Sequence, residues 1–243
     1  MRIIKVNAIN STNEFARNLY RGNSKFEPSC VVAKEQTKGK GQRGARWVSN
    51  AGENLTFSIL YPKLNIGINQ QFLLSATVSV CILKVLIKYN IPKLKVKWPN
   101  DIMSGRFKIS GILIENILKN DKIEASVIGV GLNVNQETFE GLPQAASLKL
   151  VTGRSFKLNQ LLQDILAEIE LKLSTLSEER QTEVLEEYAT NMFRRNKVST
   201  FQLPDGRYFT GIIRGVTTTG RLNMEIEDSV FKTFDLKEVK LMT

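Results

Sequence analysis

The chain predicts an α+β fold with a small all-β module at its C-terminal end, on three observations. Short strand-like runs are interspersed with helical segments up to residue 193, and three long segments carry apolar residues at helical spacing. Beyond Arg194 the pattern changes to short strands with tight turns. At 243 residues the chain exceeds the usual size of one domain. A large domain over 1–193 and a small one over 194–243 is the natural division.

Taken in order, Arg2 to Val6 alternates weakly and reads as a strand. Ser11-Thr-Asn-Glu14 has the form of a capping box and opens a helix through Tyr20. Besides capping, a helix start presents free amides and a positive dipole end to a polar ligand. Cys30 to Glu35 reads as a strand, as does Leu55 to Tyr61, which Pro62 ends. Asn69 to Tyr89 is the longest helix, apolar around most of its circumference and therefore buried. Leu94 to Trp98 alternates with period two until Pro99, with Asn100-Asp101 at the turn. Ile102–Met103 and Phe107–Glu115 read as a hairpin across Ser104-Gly-Arg, and Ile123 to Val134 as another strand. Amphipathic helices follow at Leu158–Leu173 and Glu178–Phe193. Strands at Lys197–Gln202, Tyr208–Val216, Leu222–Glu227 and Val230–Phe234 then suggest a barrel of about 50 residues.

Composition narrows the chemistry. Hydrophobic residues make up 42% and charged residues 24%, ordinary for a globular protein with a substantial core. The net charge of +10 suits anionic partners or a solubilising lysine-rich surface, without choosing between them. The chain contains no histidine, which excludes histidine triads, bases and metal ligands and leaves lysine, carboxylates and backbone amides. Cys30 and Cys81 each sit in an apolar run and read as core. The N-terminus has no apolar leader. The segment Phe72–Ile87, interrupted by Ser75, Thr77, Ser79 and Lys84, reads as too short and polar to span a membrane. A cytoplasmic protein without a membrane segment is expected.

The stretch Gln36 to Trp47 draws most attention, with three glycines, four basic side chains and a closing tryptophan. Glycines let backbone amides approach a ligand, and the cations favour phosphate or carboxylate. It matches neither the phosphate loop of nucleotide-binding proteins nor clearly the dinucleotide fingerprint. Alone it reads equally well as a solvated loop.

Other stretches stand in a definite order around it: Ser11-Thr-Asn13, Lys97-Trp-Pro-Asn-Asp101, Lys108-Ile-Ser-Gly-Ile-Leu-Ile-Glu115 and Ile128-Gly-Val-Gly-Leu-Asn-Val-Asn135. In this order they resemble the biotin protein ligases, over nearly the whole chain. The resemblance implies a mixed β-sheet packed with helices as catalytic domain, an SH3-like C-terminal domain, and ATP-dependent attachment of biotin to a lysine of a biotin carboxyl carrier domain through biotinyl-5'-AMP. Biotin and ATP would be substrates, with Mg²⁺ accompanying ATP and no resident metal.

Carried over by position, Ser11 and Thr12 would bond the ureido ring of biotin, with Asn13 and Gln36 beside them. Gly39, Lys40, Gly41 and Gln42 would wrap the biotin carboxylate and the nucleotide phosphate, with Arg43 adding charge. Trp47 would pack near adenine, while Asn100 and Asp101 would line the nucleotide side and Asp101 would orient reacting groups or Mg²⁺. Lys108 would reach both the biotin carboxylate and the α-phosphate. Gly111, Gly129 and Gly131 would form close-approach walls, and Asn133 would face the adenylate. Lys40, Arg43, Asp101 and Lys108 are thus the expected catalytic set. Lys40 departs from the usual arginine of that loop, keeping charge but losing the bidentate fork. The chain starts at the first catalytic strand, so the winged-helix domain and repressor role of some members are not implied; a homodimer stays open.

From the residues themselves, Trp98 with Pro99 reads as core and strand terminator, and Trp47 also as loop packing. Lys108 is harder to explain as structure, because lysine is rarely buried without a partner. Two alternatives remain: a lipoate or octanoate ligase or transferase of the same fold, which usually carries an Arg-Arg-x-x-Gly-Gly-Gly loop absent here, and a basic nucleic-acid-binding module.

Overall fold

The computed structural model describes residues 1–21, 27–64, 66–120 and 122–242, with the Arg43 side chain outside that description. The elements in order are β1 (Arg2–Ile9), α1 (Thr12–Arg21), β2 (Ser29–Gln36), β3 (Leu55–Pro62), α2 (Gln71–Lys88), β4 (Leu94–Lys97), β5 (Asp101–Ser104), β6 (Phe107–Lys119), β7 (Lys122–Leu132), α3 (Leu148–Thr152), α4 (Leu158–Ser174) and α5 (Gln181–Thr190). Then come β8 (Val198–Gln202), β9 (Tyr208–Val216), β10 (Leu222–Glu225), β11 (Phe231–Phe234) and β12 (Lys240–Leu241).

Strands β1 to β7 form one mixed sheet in the order β1-β2-β3-β7-β6-β5-β4, parallel between β1 and β2 and antiparallel elsewhere. The two faces are read off β3. Phe57 and Ile59 enter the main core with α2, α4 and α5, whereas Leu60 joins Ala16 of α1, Val31, Ala125 and Val127. Period two therefore sends Thr56 and Ser58 to the α1 face. In β7, Ile128, Val130 and Leu132 belong to the main core, so the alternating Gly129 and Gly131 leave the opposite face bare. A sheet face stripped of side chains beside a helix start is where a ligand can lie against backbone.

Helix α2 buries twelve of its eighteen residues, among them Leu73, Leu74, Ile82 and Leu86. By length and composition Ile68–Lys88 could cross a membrane, so the expectation that this segment is too short and polar is corrected. Its burial between the sheet and α4 and α5 assigns it instead to the protein core.

Strands β8 to β12 form an antiparallel sheet in the order β11-β10-β9-β8-β12. Phe201, Ile213, Leu222 and Met224 join the main core cluster, so the two sheets share apolar packing. Trp98 Nε1 donates to Gly220 O at 2.9 Å, and Gln181 Nε2 donates to Thr218 O at 2.9 Å. At Gly220, where φ is +84°, a Cβ would overlap the Phe72 ring. Trp98 is thus part of the junction between the sheets, in keeping with a packing role.

The short helix α3 and strand β12 were not expected from the sequence. Five and two residues are too few for a periodic pattern to register.

Candidate active site

Ser11, Thr12 and Asn13, at the start of α1, are 2–4% exposed. Such burial of three polar side chains requires partners, and most are visible. The Thr12 amide donates to Gln36 Oε1 at 2.8 Å, and its hydroxyl approaches the same oxygen at 3.0 Å. The fully buried Ser58 hydroxyl shares its proton between Thr12 Oγ1 at 2.7 Å and Asn13 Oδ1 at 2.6 Å. Asn13 Nδ2 donates to Glu115 Oε2 at 2.8 Å, and Glu115 Oε1 lies 3.6 Å from an Arg17 guanidinium nitrogen. Ser58 and Glu115 complete a network that the sequence reading missed. Both lie far from α1 in the chain, and only the strand registers of β3 and β6 bring them there.

These residues border one cleft, lined by Ser11, Thr12, Asn13, Gln36, Lys40, Gly41, Gln42, Trp47, Asn100, Lys108, Gly111, Gly129 and Gly131, with Phe57, Ile112, Leu113 and Val130. Thirteen residues singled out from the sequence meet here. The glycines are required by what stands over them. A Cβ at Gly129 would overlap Asn13 Oδ1, one at Gly131 would overlap the Trp47 indole, and one at Gly111 would come within 3.2 Å of Trp47 Cζ3.

The loop after β2 folds back as a narrow ribbon. Trp47 N donates to Gly39 O at 3.0 Å, Gly41 N to Ala45 O at 2.7 Å, and Lys40 bridges Arg46. Gly39 is not among the residues lining this cleft; a Cβ there would strike the Trp47 carbonyl. Lys40 is exposed and lies 4.0 Å from Glu14, so Glu14 is only loosely tied to it. Arg43 sits in the turn Gln42–Gly44, its side chain beyond what the structure describes.

A second cleft opens beside the first and shares Trp47 and Lys108 with it. Its walls include Arg46, Lys97, Asp101, Met103, Asn133, Phe139, Leu142 and Pro143. Lys108 Nζ lies 2.6 Å from Asp101 Oδ1 and 5.8 Å from the Trp47 ring centroid. The partner that the sequence left unidentified for Lys108 is therefore Asp101. Asn100 is held by its amide to Ile112 O at 2.5 Å, while Asn133 Nδ2 donates to Ala146 O at 3.1 Å. Burial lowers the pKa of Lys97, with Asp101 opposing and Lys108 and Lys240 adding to the shift.

Two buried polar atoms at these clefts have no partner among the described residues: Trp47 Nε1 and Asn133 Oδ1. A donor and an acceptor left without partners suit a polar ligand that would satisfy them. Cations around a glycine floor fit a phosphate or carboxylate, and Asp101 is the carboxylate of the second cleft, suited to a Mg²⁺ that accompanies a nucleotide. Neither thiol contributes, since burial pushes Cys30 and Cys81 up to about 12.

Comparison with known proteins agrees with this geometry. The model of the biotin/lipoate A/B protein ligase family matches residues 6–133. The bifunctional ligase/repressor of Salmonella typhimurium is 29% identical over 235 residues, covering 96% of this chain and 72% of its own. The biotin–[acetyl-CoA-carboxylase] ligase of Mycobacterium tuberculosis is 26% identical over 199 residues, 81% of this chain and 73% of its own. Among solved structures, the Aquifex aeolicus biotin protein ligase in complex with biotin and ATP superposes with a TM-score of 0.82 at 25% identity, covering 99% of this chain and 98% of its own.

Proposed function

Because this chain belongs to the biotin/lipoate A/B protein ligase family, we propose that it is a biotin protein ligase, joining biotin to a lysine of a biotin carboxyl carrier domain at the expense of ATP. The observation that carries the proposal is the pair of adjoining clefts that share Lys108. One presents the amide and hydroxyl groups of Ser11, Thr12, Asn13 and Gln36 at the helix start, suited to a cyclic urea. The other presents cations and a carboxylate, suited to a nucleotide. Biotin and ATP, the ligands of the Aquifex relative, are the substrates.

In the first step the biotin carboxylate attacks the α-phosphorus of ATP. A C(O)–O–P bond forms, the Pα–O–Pβ bond breaks, and pyrophosphate leaves with the bonding electrons. Two anions must approach each other, and Lys108 at the junction, with Lys40 and Arg43 from the loop, offsets their repulsion and the charge that grows in the transition state. Ser11 and Thr12, with Asn13 and Gln36 beside them, hold the ureido ring, and the bare strands at Gly111, Gly129 and Gly131 let the chain of biotin lie against backbone. Trp47 shields the mixed anhydride from water. In the second step a carrier lysine amine attacks the acyl carbon, and AMP leaves. No enzyme nucleophile is needed, consistent with a chain without histidine and with both thiols protonated.

In this reading residues 1–193 carry the chemistry, 194–243 form an SH3-like module, and the enzyme acts in the cytoplasm. The test is incorporation of biotin into an apo carrier domain by purified protein with MgATP, with pyrophosphate release followed in parallel. Absence of both products, or equal incorporation of lipoate, sinks the proposal.

A further inference from the structure

Lys97 and Lys172 are the partly buried lysines without a partner for the ammonium among the described residues, and of the two Lys97 alone borders the clefts described above. Lys84 lies 2.7 Å from Glu187, Lys108 lies 2.6 Å from Asp101, and Lys149 is paired with Glu137. Lys97 has no ion pair or hydrogen bond to its ammonium among the described residues, although it is half-buried at the end of β4. An ammonium withdrawn from water without a partner is unfavourable unless something anionic arrives to meet it.

Its position says what that anion is. The register pairs Lys97 with Asp101 across β4 and β5, and Asp101 is in turn held by Lys108. Asp101 therefore has a lysine from β4 on one side and one from β6 on the other. Lys108 borders both clefts, but Lys97 borders only the second. The reacting α-phosphate has to sit at Lys108, where the clefts join, so Lys97 is placed for the phosphates beyond it. Arg46 lies in the same wall, and Lys240 of β12 is close enough to repel the Lys97 ammonium.

Resting on the ligase reading above, we infer that Lys97 is a further binding residue of the adenylation step, holding the β- and γ-phosphates of ATP and then the departing pyrophosphate. As the Pα–O–Pβ bond breaks, the electron pair passes to a pyrophosphate oxygen, and Lys97 meets the negative charge that collects there. Lys108 stays with the carboxylate and the α-phosphate. The two lysines divide the charge of the reaction between nucleophile and leaving group.

The test is biotin-dependent exchange of labelled inorganic pyrophosphate into ATP, measured on the full chain as wild type, Lys97→Met and Lys97→Arg. Removing a charge-assisted contact to phosphate raises the KM for pyrophosphate by about tenfold or more in Lys97→Met. The KM for biotin stays within twofold, about the spread of such measurements, and Lys97→Arg recovers most of the lost pyrophosphate affinity. A thermal melt of each variant verifies that it is folded. An unchanged KM for pyrophosphate in folded Lys97→Met overturns the inference, as does a fall in kcat alone, which would make Lys97 a neighbour that only tunes Asp101. Failure of the wild type to exchange pyrophosphate at all would instead sink the ligase reading.

Discussion

Lys108 meets Asp101 because of one extra residue in β6. Ile102 pairs with Ser110 and Met103 pairs with Lys108, so Ile109 is inserted as a bulge and turns into the core. In an uninterrupted ladder Lys108 would lie opposite Ser104 and face away from Asp101. The bulge returns it to the face that holds Asp101 and Gly111, and the two side chains close to 2.6 Å. Lys108→Ala is expected to slow adenylate formation by about hundredfold or more, the usual cost of removing one preorganised charge donor. Rapid-quench measurement of biotinyl-AMP checks it, with circular dichroism to verify the fold. Near-normal adenylate formation would remove Lys108 from the chemistry.

The network behind Asn13 predicts a different kind of loss. Ser58 is fully buried and holds both Thr12 and Asn13, so Ser58→Ala leaves a buried carboxamide oxygen without its donor. A penalty of about 1–3 kcal/mol follows for the buried group. It should appear mainly as a weaker grip on biotin, with the KM for ATP little changed. Steady-state kinetics in each substrate separates the two. A larger effect on ATP than on biotin would contradict the assignment of this cleft to biotin.

Gly129 tests the bare strand. A methyl group there overlaps Asn13 Oδ1, which accepts from Ser58 while Asn13 Nδ2 donates to Leu113 O and Glu115 Oε2. Gly129→Ala should therefore leave a folded protein that biotin no longer stabilises. For the wild type, biotin at about a hundredfold excess over Kd adds about 2.7 kcal/mol of stability. A thermal shift of wild-type size in Gly129→Ala would exclude close approach of the ligand to this strand.

Much of this site was legible in the chain because it is built from short contiguous stretches. Ser11 to Asn13, Gln36 to Trp47 and the glycines of β6 and β7 each carry their chemistry within a few residues, and their order narrows the family further. What stayed hidden depends on register. Ser58 reads as one more residue of an apolar strand until β3 lies under α1, and Glu115 as a strand end until Asn13 reaches it. The bulge at Ile109 leaves no mark in an apolar run, so the pairing of Lys108 with Asp101 could not be read. The opposite error occurred in α2, where polar residues suggested a segment unfit for a membrane. Thr77 and Ser79 bond the carbonyls of Leu73 and Ser75 one turn earlier, so their hydroxyls cost the helix little in apolar surroundings.

Lys97 supplies a prediction in pH. Burial, the largest influence, lowers its pKa below the ordinary lysine value, and the Asp101 charge only partly compensates. Below the lowered folded pKa the ammonium is charged in both the folded and unfolded chain, and the fold bears the cost of its burial. Between the folded and unfolded values the unfolded chain binds more protons, so stability from this group rises with pH. Lys97→Met removes the penalty. Its melting temperature should exceed that of the wild type near neutral pH, and the gap should narrow as pH climbs through the folded pKa toward the ordinary lysine range. Thermal melts of both proteins across that range provide the check. A variant less stable than the wild type at neutral pH would mean that the Asp101 charge outweighs burial, and that Lys97 is held in place by the empty fold rather than kept for an incoming anion.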